Sequence, residues 1–220
     1  MTNELGLIYQ LLTYAGVAVF AASGALAAAS RKHDIITFAF FAAITGLGGG
    51  TLRDLLLQQP VFWIVDPNQL AVCVAVGALV WIVGLRPFPE RALLWLDAVG
   101  LAAFAVLGAA KAMAVGAAPP VAVVMGVLTA TAGGIIRDIT AGEPSVLLRR
   151  EIYVTAALVG AAAFVAVEVL GYREGAGAVG FVLAILIRGA ALRFGWTMPP
   201  FFGGLRRRSA KGGDDSPPTL

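Results

Sequence analysis

The sequence predicts an all-α integral membrane fold. Seven transmembrane helices are expected, built as two inverted three-helix repeats plus a seventh helix, with helices 2 and 5 kinked at glycine clusters. Three observations predict this. Of the 220 residues, 59% are hydrophobic and 13% charged, against about 45–50% and about 25% in soluble domains. Mean hydropathy is +0.86, and the apolar residues fall in runs near the ~20 needed for a spanning helix, without the period-two alternation of a membrane barrel. One stretch is also written twice. Thr45-Gly46-Leu47-Gly48-Gly49-Gly50-Thr51-Leu52-Arg53-Asp54 returns 84 positions later as Thr129-Ala130-Thr131-Ala132-Gly133-Gly134-Ile135-Ile136-Arg137-Asp138.

The elements follow in order. Met1 to Gly6 lacks the basic segment of a signal peptide, so the first run, 7–30, reads as a retained helix. After the Arg31-Lys32-His33 loop, helix 2 covers 34–58 and carries the first glycine cluster. Helix 3 covers 67–85. Helix 4 covers 91–115, with Asp97 and Lys111 inside it. Helix 5 covers 119–142 with the second cluster. Helices 6 and 7 cover 151–171 and 175–195. All of these belong to one transmembrane domain, 1–205, with repeat 1 at 7–86 and repeat 2 at 91–171. The tail 206–220, rich in Arg, Gly, Ser and Pro, is expected to be disordered and cytoplasmic.

Threading seven helices puts Arg31-Lys32, Arg86, Arg91, Arg149-Arg150 and Arg206-Arg207-Arg208 with Lys211 on one side. Glu4, Asp66, the Gly116–Pro120 turn and Arg173-Glu174 fall on the other. The Lys/Arg bias marks the first side as cytoplasmic, so the N-terminus lies outside. At the same offset Gly16 matches Gly100, Phe20 matches Phe104, Gly24 matches Gly108 and Pro60 matches Pro144. Helices 1–3 therefore correspond to 4–6. Three is odd, so the copies insert in opposite directions, as in many transporters and some channels.

Thr45, Gly49 and Arg53 share one helix face, as do Thr129, Gly133 and Arg137; Gly50 with Asp54, and Gly134 with Asp138, form the adjoining stripes. Glycine loosens a helix by about 0.8–1 kcal/mol per residue. An intramembrane charge costs at least roughly 2.5–3.5 kcal/mol. Freed carbonyls around Gly48, Gly49, Gly50, Ala132, Gly133 and Gly134, with the Thr45 and Thr129 hydroxyls, could replace part of a cation's hydration shell in a wet cavity. The same glycines also suit close helix packing. Arg53-Asp54 and Arg137-Asp138 read as gating or structural charge pairs. Asp97 and Lys111, about four turns apart on helix 4, suit either function or interfacial snorkelling. Arg188 and Arg193 read as anchors near a membrane face, and Trp63, Trp81, Trp95 and Trp196 as belt aromatics.

Several classes are excluded. One cysteine, Cys73, forms no intrachain disulfide, and one histidine, His33, leaves no His/Cys metal site. The glycine cluster lacks the GK[ST] ending and preceding strand of a phosphate loop. No catalytic constellation stands out, so neither an enzyme nor a cofactor is expected. The net charge of +3 is spread over loops and tail, which points to topology, not nucleic acid.

The doubled unit, with Gly-Gly-Gly-Thr-Leu-Arg-Asp in helix 2 and Gly-Gly-Ile-Ile-Arg-Asp in helix 5, resembles the prokaryotic trimeric intracellular cation (TRIC) channel family. Bacterial members have also been catalogued as a family of unknown function and as glycine transporters. Leu96 to Phe104, with Gly108 and Lys111 beyond, is similar to the family's fourth helix. The resemblance covers about residues 7–195. It implies a homotrimer in the lipid of a prokaryotic inner membrane, each protomer holding a K⁺- and to some extent Na⁺-conducting pore lined by helices 2 and 5. The second cluster departs from it, with Ala132 where the first has a glycine. A secondary transporter of a small zwitterion such as glycine, and a sealed membrane scaffold, are the rival readings.

Overall fold

The structure, a computed structural model, describes residues 2–84, 91–145 and 152–198, with the backbone alone over 2–8. Eight helices are present among them: α1 (Thr2–Ser30), α2 (Ile35–Leu56), α3 (Phe62–Val65), α4 (Asn68–Val83), α5 (Ala92–Ala114), α6 (Pro119–Thr140), α7 (Val154–Val169) and α8 (Arg173–Phe194). No β-strand occurs among the described residues. Seven of these helices coincide with the seven expected stretches, and α3 is an added single turn. By length and composition five can cross a membrane: α1 from Tyr9, α2, α5, α6 and α8. At 16 residues each, α4 and α7 reach about 24 Å, short of a ~30 Å hydrocarbon core. They are the third helices of the two repeats. The basic tail, Arg86 and Arg149-Arg150 lie outside the described residues.

Local chemistry sets the helix ends. The Asp34 carboxylate caps α2 by accepting from the Thr37 amide at 2.8 Å, as an N-cap does, and that amide holds the Asp34 carboxyl below its ordinary range. Pro119 and Pro120 open α6, where the missing amide hydrogens cost nothing. Gly195 closes α8 in the left-handed region at φ 68°.

The packing is reciprocal. A Cβ on Gly16 would press on the Phe104 ring, and one on Gly100 would collide with the Phe20 ring. The two rings stack with centroids 5.2 Å apart. One step along α1 is matched by the opposite step along α5, so the helices run antiparallel. α2 and α6 repeat the pattern: a Cβ on Gly49 would collide with the Thr129 carbonyl oxygen, and one on Gly133 with that of Thr45. Such exchange of equivalent contacts is what a local two-fold axis between halves produces. α8 packs outside this pair, against α7 and α5.

Candidate functional site: the α2–α6 crossing and its two ion clusters

The glycine clusters stay helical. α2 is continuous from Ile35 to Leu56 and α6 from Pro119 to Thr140, so the backbone expected to unwind at Gly48–Gly50 and Ala132–Gly134 does not. The reason is the contact just described. Glycine at 49 and 133 lets each helix lay its backbone on the carbonyl of the other, and that mutual support holds both ladders intact. Thr45, Gly49, Gly50, Thr129, Ala132, Gly133 and Gly134 are buried, and Gly48 is half-buried against Ile136. The Thr129 hydroxyl donates back to the Met125 carbonyl at 2.6 Å. Its counterpart, Thr45 Oγ1, is buried without a hydrogen-bond partner, close to Gly24, whose Cβ would lie 2.5 Å from it.

Each Arg-Asp pair lies beyond the crossing, one at either end. At the first end the Arg53 Nε donates to Asp54 Oδ1 at 2.7 Å, and Lys111 Nζ reaches the same oxygen at 2.7 Å. Asp54 Oδ2 accepts the Phe62 amide at 2.9 Å, which explains α3: the carboxylate caps that single turn. The Arg53 guanidinium lies 5.8 Å from the centroid of the Phe62 ring, a favourable cation–π approach. Asp54 is fully buried and Arg53 is 4% exposed.

At the second end Arg137 carries more. Its Nη1 donates to Asp97 Oδ1 at 2.6 Å and to Ser23 Oγ at 3.0 Å. Its Nε and Nη2 reach Asp138 Oδ1 at 3.0 and 2.8 Å. Tyr153 closes the pocket: a Cβ on Gly134 would lie 2.7 Å from its hydroxyl and 3.2 Å from Asp97 Oδ1. The Arg188 guanidinium sits 5.0 Å over the Tyr153 ring and donates to the Ile152 carbonyl at 3.4 Å.

Asp97 and Lys111, read from the sequence as either functional or interfacial, are both ion-paired. α5 delivers Asp97 to one cluster and Lys111 to the other, because 14 residues return a helix to nearly the same face. Arg188, expected as an anchor, is 1% exposed. Trp63 is half-buried and donates to Thr51 Oγ1 at 2.9 Å, whereas Trp81, Trp95 and Trp196 are exposed as belt residues would be. Sequence reasoning missed Ser23, Phe62 and Tyr153. Phe62 and Tyr153 acquire their roles through loops, and a lone serine in an alanine-rich helix carries no pattern. Among the described residues no group of three metal-binding side chains occurs.

The family model described as "Glycine transporter" matches twice, over residues 10–84 and 94–168, the same offset of 84 as the sequence repeat. The chain is 41% identical over 197 residues to the UPF0126 inner membrane protein YadS of Escherichia coli K12, covering 86% of this chain and 94% of that protein. It is 34% identical over 198 residues to the UPF0126 membrane protein YvgT of Bacillus subtilis, covering 87% and 95%. Among solved structures, that of the TRIC trimeric intracellular cation channel orthologue from Rhodobacter sphaeroides superposes with a TM-score of 0.82 at 48% identity, over 86% of this chain and 99% of that one. A prokaryotic TRIC channel crystallised in 0.5 M KCl gives 0.80 at 27% identity, over 87% and 99%. Two matched halves, a shared backbone and these identities make the chain a member of the TRIC channel family, the family also described as glycine transporters.

Proposed function

We propose that the chain is a monovalent cation channel, conducting K⁺ and to some extent Na⁺, with a path inside each protomer between the inverted halves. The observation that carries this reading is the pair of buried ion clusters at opposite ends of the α2–α6 crossing, in a backbone that matches TRIC cation channels. Buried charges need partners and a reason to stay, and clusters at both ends of one seam suit entry and exit of an ion. The crossing is shut at Gly49 and Gly133, so on this reading α2 and α6 must part for conduction. Thr45, Thr129 and the carbonyls of Gly48–Gly50 and Ala132–Gly134 then become ligands. The molecule is read as a homotrimer in the inner (plasma) membrane of a prokaryote, N-terminus outside. Planar-bilayer recording of the purified protein tests it: cation-selective unitary currents are expected, and their absence in a folded, reconstituted sample rejects the channel.

The family description favours a second reading, a secondary transporter of glycine. Antiparallel halves meeting at a shut seam suit alternating access. Saturable uptake of labelled glycine into proteoliposomes, dependent on an ion gradient, would support it; robust K⁺ flux without uptake would remove it.

A further inference from the structure

We propose that Arg53 and Lys111, at the first end of the α2–α6 crossing, bind the carboxylate of a small solute in the place that Asp97 fills beside Arg137. The Arg53 Nε donates to Asp54 Oδ1 at 2.7 Å, but its Nη1 and Nη2 meet no acceptor among the described residues. Arg53 is 4% exposed, and unmatched donors at such depth are costly unless an acceptor arrives. Lys111 Nζ gives one hydrogen to the same Asp54 oxygen and keeps two, with its side chain 23% exposed. Two cations thus share one carboxylate.

The repeat shows what is missing. Around Arg137 the same atoms are taken, Nη1 by Asp97 and Ser23 and Nη2 by Asp138. The reciprocal packing exchanges α1 with α5, so the counterparts of Asp97 and Ser23 stand 84 positions away, at Thr13 and Leu107. Neither side chain is a carboxylate, and the Thr13 hydroxyl donates to the Tyr9 carbonyl at 2.9 Å. The aromatic wall is kept. A Cβ on Gly50 would meet the Phe62 ring, as one on Gly134 would meet the Tyr153 hydroxyl. The fold repeats the cradle and omits the anion.

The class of ligand follows from the donors. A guanidinium edge matches a carboxylate in plane and spacing, and an ammonium adds a point charge. Residues of four helices meet there. Tyr9, on α1, donates its hydroxyl to the Leu107 carbonyl at 3.4 Å, one turn before Lys111 on α5. The Phe62 ring of α3 lies 5.8 Å from the Arg53 guanidinium of α2, and its neighbour Trp63 donates to Thr51 Oγ1. The site stands on either reading of the chain. A bound carboxylate offsets the excess positive charge that K⁺ would meet at this end, and in a carrier it is the anionic end of the substrate.

Binding, not flux, is therefore the readout. Purified full-length protein in a non-ionic detergent is held at fixed pH, K⁺ and ionic strength, with a bulky sulfonate as counter-ion. It is titrated with acetate, glycine, chloride or methylammonium, following melting temperature and Trp fluorescence. Acetate or glycine should stabilise saturably, and chloride and methylammonium should not at the same concentrations. Lys111→Met should weaken the response about tenfold, the worth of one charge-assisted hydrogen bond, and Lys111→Arg should keep it. Thr13→Asp supplies the carboxylate from within the chain and should abolish the response. No saturable effect of either carboxylate, or full affinity in a folded Lys111→Met or Thr13→Asp variant, overturns the proposal. Chloride acting at the same concentration assigns the place to any small anion and overturns its carboxylate class, and protection by methylammonium overturns its sign.

Discussion

Arg53 and Arg137 occupy the same place in the repeat and form the same bond to the next residue, yet their surroundings differ in kind. Asp54 is shared by two cations, Arg53 and Lys111, and by the Phe62 amide. Arg137 is shared by two anions, Asp97 and Asp138, and by the Ser23 hydroxyl. Lys111 and Asp97 have no counterparts in the first half: the positions 84 residues earlier are Ala27 and Thr13. Lys111 and Asp97, both on α5, give the two ends opposite excess charge among these contacts. The repeated scaffold thus holds unlike ion clusters at the two ends of the α2–α6 crossing.

The difference predicts unequal sensitivity, and the largest effect belongs to the second cluster. Arg137→Ala removes from a buried site the cation that Asp97 and Asp138 share and should destabilise by about 3–5 kcal/mol. Arg53→Ala leaves Asp54 with Lys111 and an amide, so about 1–3 kcal/mol is expected. Thermal unfolding of the two variants in one detergent checks this, and equal losses would break the comparison.

The glycines give a second, smaller contrast. Gly49→Ala and Gly133→Ala push a Cβ into the opposing carbonyl, so each should cost roughly 1–3 kcal/mol of overpacking and the two should be alike, since the crossing is reciprocal. The tight contact for Gly48→Ala is Ile136 Cδ1 at 3.1 Å, a flexible side-chain tip, with Gly133 Cα at an ordinary 4.0 Å. It should be neutral or gain up to about 1 kcal/mol of helix propensity. Melting temperatures order the three, and a damaging Gly48→Ala would mean that Gly48, too, serves close approach. Smaller again is Lys111→Ala. Its side chain is 23% exposed, so solvent screening holds the loss to roughly 1 kcal/mol, and a double-mutant cycle with Asp54→Asn isolates the pair.

Much of this was legible in the residues. Apolar runs place the long helices, because lipid admits few other spanning structures. The repeated Thr-x-x-x-Gly-x-x-x-Arg spacing marks the buried face of α2 and α6. Its meaning at the glycines was not legible: loosened and tightly crossed helices use the same residues, and only the distance from Gly49 to Thr129 separates them. Partners across helices were equally hidden. Asp97 and Arg137 are 40 positions apart, and Lys111 and Asp54 are 57 apart, with nothing local to join them. Arg188 reads as an anchor by sequence because burial of a charge depends on neighbours, here the Tyr153 ring.

One further asymmetry lies outside the crossing. Asp66, between α3 and α4, accepts the Tyr14 hydroxyl at 2.5 Å and the Asn68 side-chain amide at 3.0 Å. The equivalent positions in the second half are Arg150 and Ala98, so only one loop can be pinned to its first helix this way. The Tyr14 hydrogen bond, ahead of the smaller Asn68 and Gln69 contributions, holds the Asp66 carboxyl below its ordinary range. A depressed carboxyl stabilises the fold at pH values above its unfolded value, about 3.9. That contribution is lost as pH falls through the lower folded value. Wild type should therefore melt slightly above Tyr14→Phe at neutral pH, and the gap should close on acidification below about pH 4. A gap that persists in acid would mean that the hydroxyl acts through packing, and that the two loops differ by shape and not by charge.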